Sequence, residues 1–290
     1  MTDDVTEIVT EIVTEIVTEI VAKAKSKILF DFEEHTLAQG LSWLAGRVFP
    51  DFDADEVERT LAQLCDDVRE LHVVGPELAR TLALLEMVYQ DWGFHGDYQT
   101  FYRSDNLRLD KALITRQGGP VVLGILLLTL ASELDLPLYP VVFPTQFLVR
   151  AEFDDTTLFI NPFNGEIVDE HILTAWLKGQ EGMLAELRDE DVDISCHSQV
   201  MMRVMDAMKA ALMHEKSGEL ALQVSALLLE RSPGDPYEIR DRGLIYATLD
   251  CTQAAKDDLT YFIKQCPKDP VIALVREQVR ALSIPEVVLH

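Results

Sequence analysis

The side chains best suited to nucleophilic or acid–base chemistry in this chain are its cysteines and histidines. The four cysteines lie far apart and form no C-x-x-C pair, so neither a zinc ribbon nor a thioredoxin motif is indicated. They are Cys65, Cys196, Cys251 and Cys266. The histidines weighed as catalytic groups are His72, His95, His171 and His197. No histidine or cysteine occurs from residue 96 to residue 170, so any cysteine–histidine pair must be assembled from outside that stretch.

Residues 116–165, which lie inside that stretch, carry the clearest secondary-structure signals. Val121–Ala131 is apolar on almost every side after a favourable helix-starting proline, Pro120, and this predicts a helix buried on all faces. Three segments rich in Val, Phe and Leu follow between turns and predict an antiparallel meander. These strands are Leu138–Phe143, Gln146–Phe153 and Thr157–Ile160. The pattern predicts a central helix packed on a small antiparallel sheet.

Several uncommon strings in this region carry a resemblance to a known family. RQGGPVVLG, PVVFPTQFLVR and INPFNGE, together with DWGF upstream and DPYEIRDRGLIYATLDC downstream, resemble the bacterial SirB-type invasion-regulator family. The resemblance runs from about residue 30 to the C-terminus. It implies an α+β, mostly helical protein: a papain/transglutaminase-like core with a small antiparallel sheet, followed by an α-helical tetratricopeptide-like region.

The resemblance also implies where a catalytic triad would stand. Active transglutaminase-like enzymes carry a Cys at the helix start, a His on a strand and an Asp on the next strand. The corresponding positions here hold Val122, Gln146 and Asn161. Valine supplies no nucleophile, glutamine shuttles no proton near neutral pH, and asparagine has no charge to stabilise an imidazolium. We therefore expect a pseudoenzyme, in which Gln146 and Asn161 can hydrogen-bond to each other.

Four residues are predicted to bind a partner. Trp92 and Phe94 end a predicted helix with a glycine turn, where Trp92 either packs against the core or lines a pocket. Asn164 belongs to a turn that, by the family resemblance, rims the degenerate site. Tyr246 is an aromatic residue of the repeat region. Downstream of the turn, Asp169–His171 suggests a metal site less well than a helix start capped by Asp169, since neighbours on a helix do not face one another.

The C-terminal third shows a repeat. Ala221 and Ala255 are separated by the tetratricopeptide period of about 34 residues, as are Pro233 and Pro267. The first unit has Lys209 where the motif places glycine. About two repeats are present, fewer than the three usually needed for independent stability, so we expect this region to lean on the core.

Composition narrows the function classes. The net charge of −25 argues against nucleic acid and anionic membranes as partners and favours a protein or peptide partner. No apolar run approaches the ~20 residues of a membrane helix, and an acidic N-terminus is unlike a secretory signal, which predicts a cytoplasmic protein. We expect buried, free cysteines, although a Cys251–Cys266 disulfide is compatible with the spacing. No cofactor or metal is predicted, and the oligomeric state stays open.

The rest of the chain organises around these regions. Residues 5–21 repeat the unit VTEI, which drifts around a helix and is either a functionless extension or a self-associating segment. Helices are predicted at Thr36–Arg47, Asp53–Leu71 and Pro76–Gln90, and again at Ile172–Leu177 and Met183–Leu187. Asp189–Asp193 is predicted to be a charged linker. The expected divisions are an extension at 1–29, a transglutaminase-like domain at 30–188 and a repeat domain at 189–290.

Two functions follow from the sequence. The first is a non-catalytic protein-interaction or regulatory protein built on a degenerate transglutaminase-like core. The second is a cysteine-type hydrolase or acyltransferase that uses residues outside the triad positions. The absence of histidine and cysteine around the expected site separates them in favour of the first.

Overall fold

The computed structural model describes residues 30–70, 75–100, 102–154 and 156–282. The VTEI repeat, His72 and the C-terminal residues 283–290 lie outside the described residues. The described residues from Phe32 onward form one compact unit.

The helical layer before the centre matches its prediction closely. Helix α1, Leu37–Val48, begins with a capping box in which the Thr36 and Gln39 side chains each bond the other's backbone N–H. Helix α2, Ala54–Arg69, begins at Asp53, whose carboxylate accepts the Glu56 N–H at 3.0 Å. The remaining elements here are α3 Glu77–Glu86, a π-helical turn Met87–Asp91, strand β1 His95–Gly96, a 3-10 turn Ser104–Leu107, α4 Leu109–Thr115 and strand β2 Gln117–Gly118.

Helix α5, Pro120–Ser132, is the buried centre of the fold, as the apolar run predicts. Pro120 is its first residue, and the positions from Val121 to Leu127 are all buried. The helix has no polar face because both the preceding helical layer and the following sheet pack on it. Asp135, with φ of 49°, turns the chain away after the last turn.

The sheet is a four-stranded antiparallel meander in the order β3-β4-β5-β6. Its strands are β3 Leu138–Val142, β4 Phe147–Phe153, β5 Thr156–Asn161 and β6 Glu166–Val168, of which β6 is missing from the sequence-based prediction. One face, including Leu148 and Phe159, packs on Leu173 of helix α6, Glu170–Glu181. Phe147 points the other way, toward α5, since side chains alternate along a strand.

In the described part of the C-terminal region, up to residue 282, all regular elements are helices. These helices are α7 His197–His214, α8 Gly218–Arg231, α9 Pro236–Thr248, α10 Thr252–Gln265 and α11 Ile272–Ala281. Small residues allow close helix packing: a Cβ built on Gly243 would lie 3.0 Å from Leu259 Cγ. As expected, this region packs against the core. Glu215 accepts hydrogen bonds from Ser104 N and Oγ at 2.8 and 2.7 Å, and the Arg231 guanidinium lies 3.8 Å from the centre of the Phe32 ring.

Two details between α6 and α7 differ from the prediction. The helix expected at Met183–Leu187 is wrong, because Gly182 adopts φ of 104° and ends α6 in a turn. Asp189–Val192 is a 3-10 helix packed on the sheet, with Arg150 Nη1 donating to Val192 O at 2.9 Å. The charged segment is thus helical and bonded to the sheet, while its role as a linker and the domain boundary placed there stay predictions.

Candidate functional site

The N-terminus of α5 follows Gly119, which admits close backbone approach. Gly119 N–H donates to Asn106 O at 2.8 Å, and a Cβ at Gly119 would lie 2.9 Å from the same oxygen. Pro120 follows as the first helical residue, and Val122, the expected nucleophile position, is the third and has no exposed surface. Neither side chain can attack an acyl group, so this helix start offers its N–H groups and dipole without a nucleophile.

Gln146 and Asn161 stand at the ends of neighbouring strands. Gln146 lies in the bend before β4, and its Nε2 is buried without a hydrogen-bond partner in the described part of the chain. The same holds for the adjacent Thr145 Oγ1. Asn161 ends β5, and its Oδ1 accepts the Phe163 N–H at 3.1 Å. The side-chain oxygen of Asn161 is thus used in a local turn, and the bond expected between Gln146 and Asn161 is not formed.

Both strand ends reach the first turns of α5. A Cβ at Gly124 would lie 2.4 Å from Phe147 Cε1 and 3.2 Å from Pro162 Cγ. These contacts belong to the residues that directly follow Gln146 and Asn161. They support the alignment of the degenerate triad with this helix, while convergence of the Val122, Gln146 and Asn161 side chains stays a prediction.

The turn after Asn161 is held by the segment around residues 89–98. The Tyr89 hydroxyl donates to Pro162 O at 2.9 Å, and burial raises the pKa of Tyr89 above its usual value. Gly96 N–H donates to Phe163 O at 2.7 Å, and the Tyr98 ring packs edge-on against Phe163 at 4.6 Å. A side chain at Gly165 would strike Tyr89, and its φ of 76° also favours glycine. The turn is a fixed part of the core.

The predicted binding residues stay predictions. Phe94 has no exposed surface and lies 4.5 Å under the Arg116 guanidinium, so it can act only through packing. Trp92 is half-buried and edge-on to Phe94 at 6.4 Å. Asn164 Oδ1 accepts the Glu166 N–H at 3.2 Å, a structural use of the side chain. Tyr246 is half-buried, with the Arg242 guanidinium 5.9 Å from its ring centre.

One histidine lies nearer to α5 than the sequence indicates. Strands β1 and β2 pair in parallel, which sets His95 beside Gln117, three residues before Pro120. His95 Nε2 lies 3.1 Å from Gln117 Nε2, and its Nδ1 lies 2.8 Å from Gly93 O. No local sequence signal reveals this arrangement, because it depends on a two-residue pairing between distant segments.

All four cysteines are free, and they differ in burial. Burial raises the pKa of Cys65 to about 11, and Glu133 adds to the shift, so its reactive thiolate is suppressed. Cys196 and Cys251 are exposed, which makes the expectation of buried thiols wrong for these two. Cys196 is the N-cap residue of α7, and the Glu33 carboxylate accepts the Ser198 N–H at 2.8 Å beside it.

The acidic residues after the turn form a helix cap. Asp169 Oδ1 accepts the Ile172 N–H at 2.9 Å, which confirms the predicted cap of α6. Within the described ranges, no group of three or more His, Cys, Asp or Glu side chains is placed to hold a metal ion. In the same residues, no helix combines the length and apolar character needed to cross a membrane.

Comparison with known proteins matches these two regions. Residues 55–206 match the family model of the transglutaminase-like superfamily, and residues 208–280 match a tetratricopeptide repeat model. No solved structure gives a significant match.

Whole-length relatives are also found. Protein SirB1 of Salmonella typhimurium is 43% identical over 266 residues, covering 90% of this chain and 98% of the relative. UPF0162 protein YchA of Escherichia coli K12 has the same identity and coverage. A UPF0162 protein of Vibrio cholerae is 41% identical over 264 residues, covering 90% of this chain and 97% of the relative.

Proposed function

Because the chain belongs to the transglutaminase-like superfamily, in the family of Protein SirB1, we propose that it is a non-catalytic protein-interaction or regulatory protein. Its transglutaminase-like core serves as a scaffold that has lost the parent chemistry. The tetratricopeptide region supplies the surface class through which it acts, since such repeats generally bind peptides or helices.

The start of α5 carries the proposal. A cysteine enzyme of this superfamily needs a thiolate at a helix N-terminus and a histidine oriented by a carboxylate. Here the helix begins with Pro120, and the strand ends beside it hold two amides, Gln146 and Asn161. Asn161 Oδ1 is occupied by the Phe163 N–H. Each of the three functions is missing, and electrostatic help from the helix cannot replace a nucleophile in covalent catalysis.

His95 is the observation that keeps an enzyme as a candidate. It stands beside the segment that enters α5, and one ring nitrogen lies within hydrogen-bond reach of Gln117. A hydrolase could use this imidazole as a base if a nucleophile or an activated water reached it. Cys65 is a poor nucleophile because burial raises its pKa to about 11.

A cysteine-free variant tests the proposal directly. Any cysteine mechanism requires one of the four thiols, so wild type is compared with C65A/C196S/C251S/C266S. The assays measure thioester hydrolysis and amine incorporation into a glutamine peptide. We expect both proteins to match the buffer rate.

Two further outcomes are informative. Turnover by wild type that disappears in the cysteine-free variant would establish the hydrolase alternative. Turnover that survives there but disappears in H95Q would establish a histidine-dependent reaction, and either result would overturn the non-catalytic function.

A further inference from the structure

A groove lies beside the segment between α6 and α7. One cavity, of about 460 Å³, adjoins two others and is called the main cavity for that reason. It is lined by β4, β5 and β6, by the start of α6, and by the 3-10 helix Asp189–Val192. A cavity of about 300 Å³ adjoins it through Glu170, Asp189 and Val192. Another, of about 530 Å³, adjoins it at Asp193. These three cavities together are called the acidic groove below.

The floor of the main cavity is one face of the sheet. Arg150, Phe159 and Val168 are successive cross-strand partners, so they project from the same face. Exposed apolar residues border these cavities. Ile167 alternates with Val168 and projects from the other face at the edge strand, where it borders the main cavity, and Ile194 lines the neighbouring one; 43% and 45% of their surfaces are exposed. A ligand that fits here must bring apolar groups as well as charge.

The charges around the main cavity are strongly one-sided. Asp169, Glu170, Asp189 and Asp193 line it, are exposed, and form no ion pair within the part of the chain that the structure describes. Its one basic residue, Arg150, is engaged by the chain itself. Arg150 Nη2 contacts the Glu152 carboxylate at 2.8 Å, and its Nη1 donates to Val192 O.

Basic side chains also line the adjoining cavities: Lys178 and Arg188 accompany Glu170 and Asp189, and Arg203 accompanies Asp193. Arg188 is already paired with Glu190 and Asp191, and acidic residues outnumber basic ones in the three linings together.

We infer that the acidic groove binds a lysine- or arginine-bearing segment of a partner protein, with aliphatic side chains between the basic ones. Cationic side chains would relieve the repulsion among the four carboxylates, and the aliphatic ones would cover Ile167 and Ile194. The volume of the main cavity suits a few side chains of such a segment. This inference rests on the proposed interaction function and names the chemistry of the partner.

The experiment uses the full chain and a fluorescein-labelled peptide in which lysine alternates with leucine. Two reference peptides replace either lysine by glutamate or leucine by serine. Binding is followed by fluorescence anisotropy at low and at raised salt, since exposed charges are screened within about 10 Å at 0.1 M salt. We expect the lysine–leucine peptide to bind about ten-fold tighter than either reference and to weaken as salt rises.

A charge-matched pair of variants localises the binding. D189K/D193K reverses two groove carboxylates, while D55K/E58K makes the same charge change on exposed positions of α2. We expect about ten-fold weaker binding for D189K/D193K and little change for D55K/E58K, with both variants melting like wild type. Equal affinities for the two variants would mean non-specific attraction to an acidic surface and would overturn the groove.

The lysines of this chain itself are the other occupant to exclude. Lys23, Lys25 and Lys27 precede the compact unit in the sequence. If K23S/K25S/K27S raises the affinity of wild type for the lysine–leucine peptide, the groove is filled by the chain's own segment and the partner assignment falls. Unchanged affinity supports an external partner. None of these outcomes depends on turnover, so failure of the groove leaves the non-catalytic function standing.

Discussion

Polar atoms are buried both in the bend before β4 and at the interface of α7, α8 and α9, but the two regions differ in whether these atoms are hydrogen-bonded. In the repeat region, Lys209 Nζ pairs with the carboxylates of Glu238 and Asp241, and Ser225 Oγ donates to Glu238 at 2.6 Å. Burial opposes the charge on Lys209, yet the hydrogen bond and charge of Glu238 outweigh it and raise the pKa of Lys209. In the core, Gln146 Nε2 and Thr145 Oγ1 have no hydrogen-bond partner within the described ranges.

This difference in hydrogen bonding separates the Lys209 cluster, which stabilises the fold, from the buried polar atoms of Thr145 and Gln146, which stability does not explain. A buried donor without a partner costs about 1–3 kcal/mol, whereas a satisfied network fixes how helices meet. The Lys209 cluster ties α7 to α9 and so accounts for a lysine where the repeat motif places glycine. The unpaired atoms of Thr145 and Gln146 join no such network, so stability does not explain these two polar residues.

The largest test of this comparison is Lys209→Met. Removing the cation leaves Glu238 buried with only Ser225 as a partner, so we expect a loss of about 3–5 kcal/mol in the free energy of unfolding. Urea denaturation measures it. The matched control is E56A, which breaks the exposed Glu56–Arg59 pair and should cost at most about 1 kcal/mol. A loss below about 1 kcal/mol for Lys209→Met would show that the cluster does not secure the repeat region.

The next test restores the triad chemistry in the core. In V122C/Q146H/N161D we expect the new thiol to titrate below the unperturbed ~8.5, since the helix N-terminus and an imidazole both favour the thiolate. Iodoacetamide labelling across pH reports the pKa of the thiol. It should label faster than Cys65, whose pKa lies near 11.

The single variant V122C is the control for the triad test, because it keeps Gln146 and Asn161. Val122 is fully buried, whereas Pro120 is the first residue of the helix. The variant P120C/Q146H/N161D therefore tests an alignment in which the nucleophile position is residue 120 instead of residue 122. Unperturbed thiols in both triple variants would contradict the alignment of the site with this helix.

A smaller effect should come from Gln146→Met. The change removes the buried, unpaired Nε2 of Gln146 and keeps a side chain of similar shape. We therefore expect the free energy of unfolding, measured by thermal denaturation, to rise by about 1 kcal/mol. Gln253 on α10 donates to Asp257 at 2.9 Å on the surface, and Q253M should leave stability nearly unchanged. If Gln146→Met destabilises the protein, the amide has a partner or a role in packing, and the contrast with the Lys209 cluster disappears.

The smallest effect is expected from deleting residues 1–27. The VTEI unit gives no consistent apolar face as either helix or strand, so neither polar cluster should depend on it. Differential scanning calorimetry should show a cooperative transition for the truncated protein. Its free energy of unfolding should lie within about 1 kcal/mol of that of the full chain. Loss of cooperative melting would reveal that the segment contributes to the core.

The local elements could be predicted from the sequence because each depends on short-range signals. Pro120 and the apolar run after it predict the buried helix, and Asp53 and Asp169 mark helix starts through their caps. The segments rich in Val, Phe and Leu between turns predict β3 to β5. These local elements hold because chain-local hydrogen bonding and burial decide them. The family resemblance adds the order of the two regions, while the substituted triad positions stay a prediction.

The tertiary structure alone decided which distant groups meet. The two-residue pairing of β1 and β2 places His95 near the N-terminus of α5. The packing of α7 and α9 brings Lys209 next to Glu238. The acidic groove depends on the packing of residues 189–193 on the sheet, which the prediction of a charged linker does not include. No periodicity encodes such encounters, because they follow from how whole elements pack and from which buried polar atoms that packing satisfies.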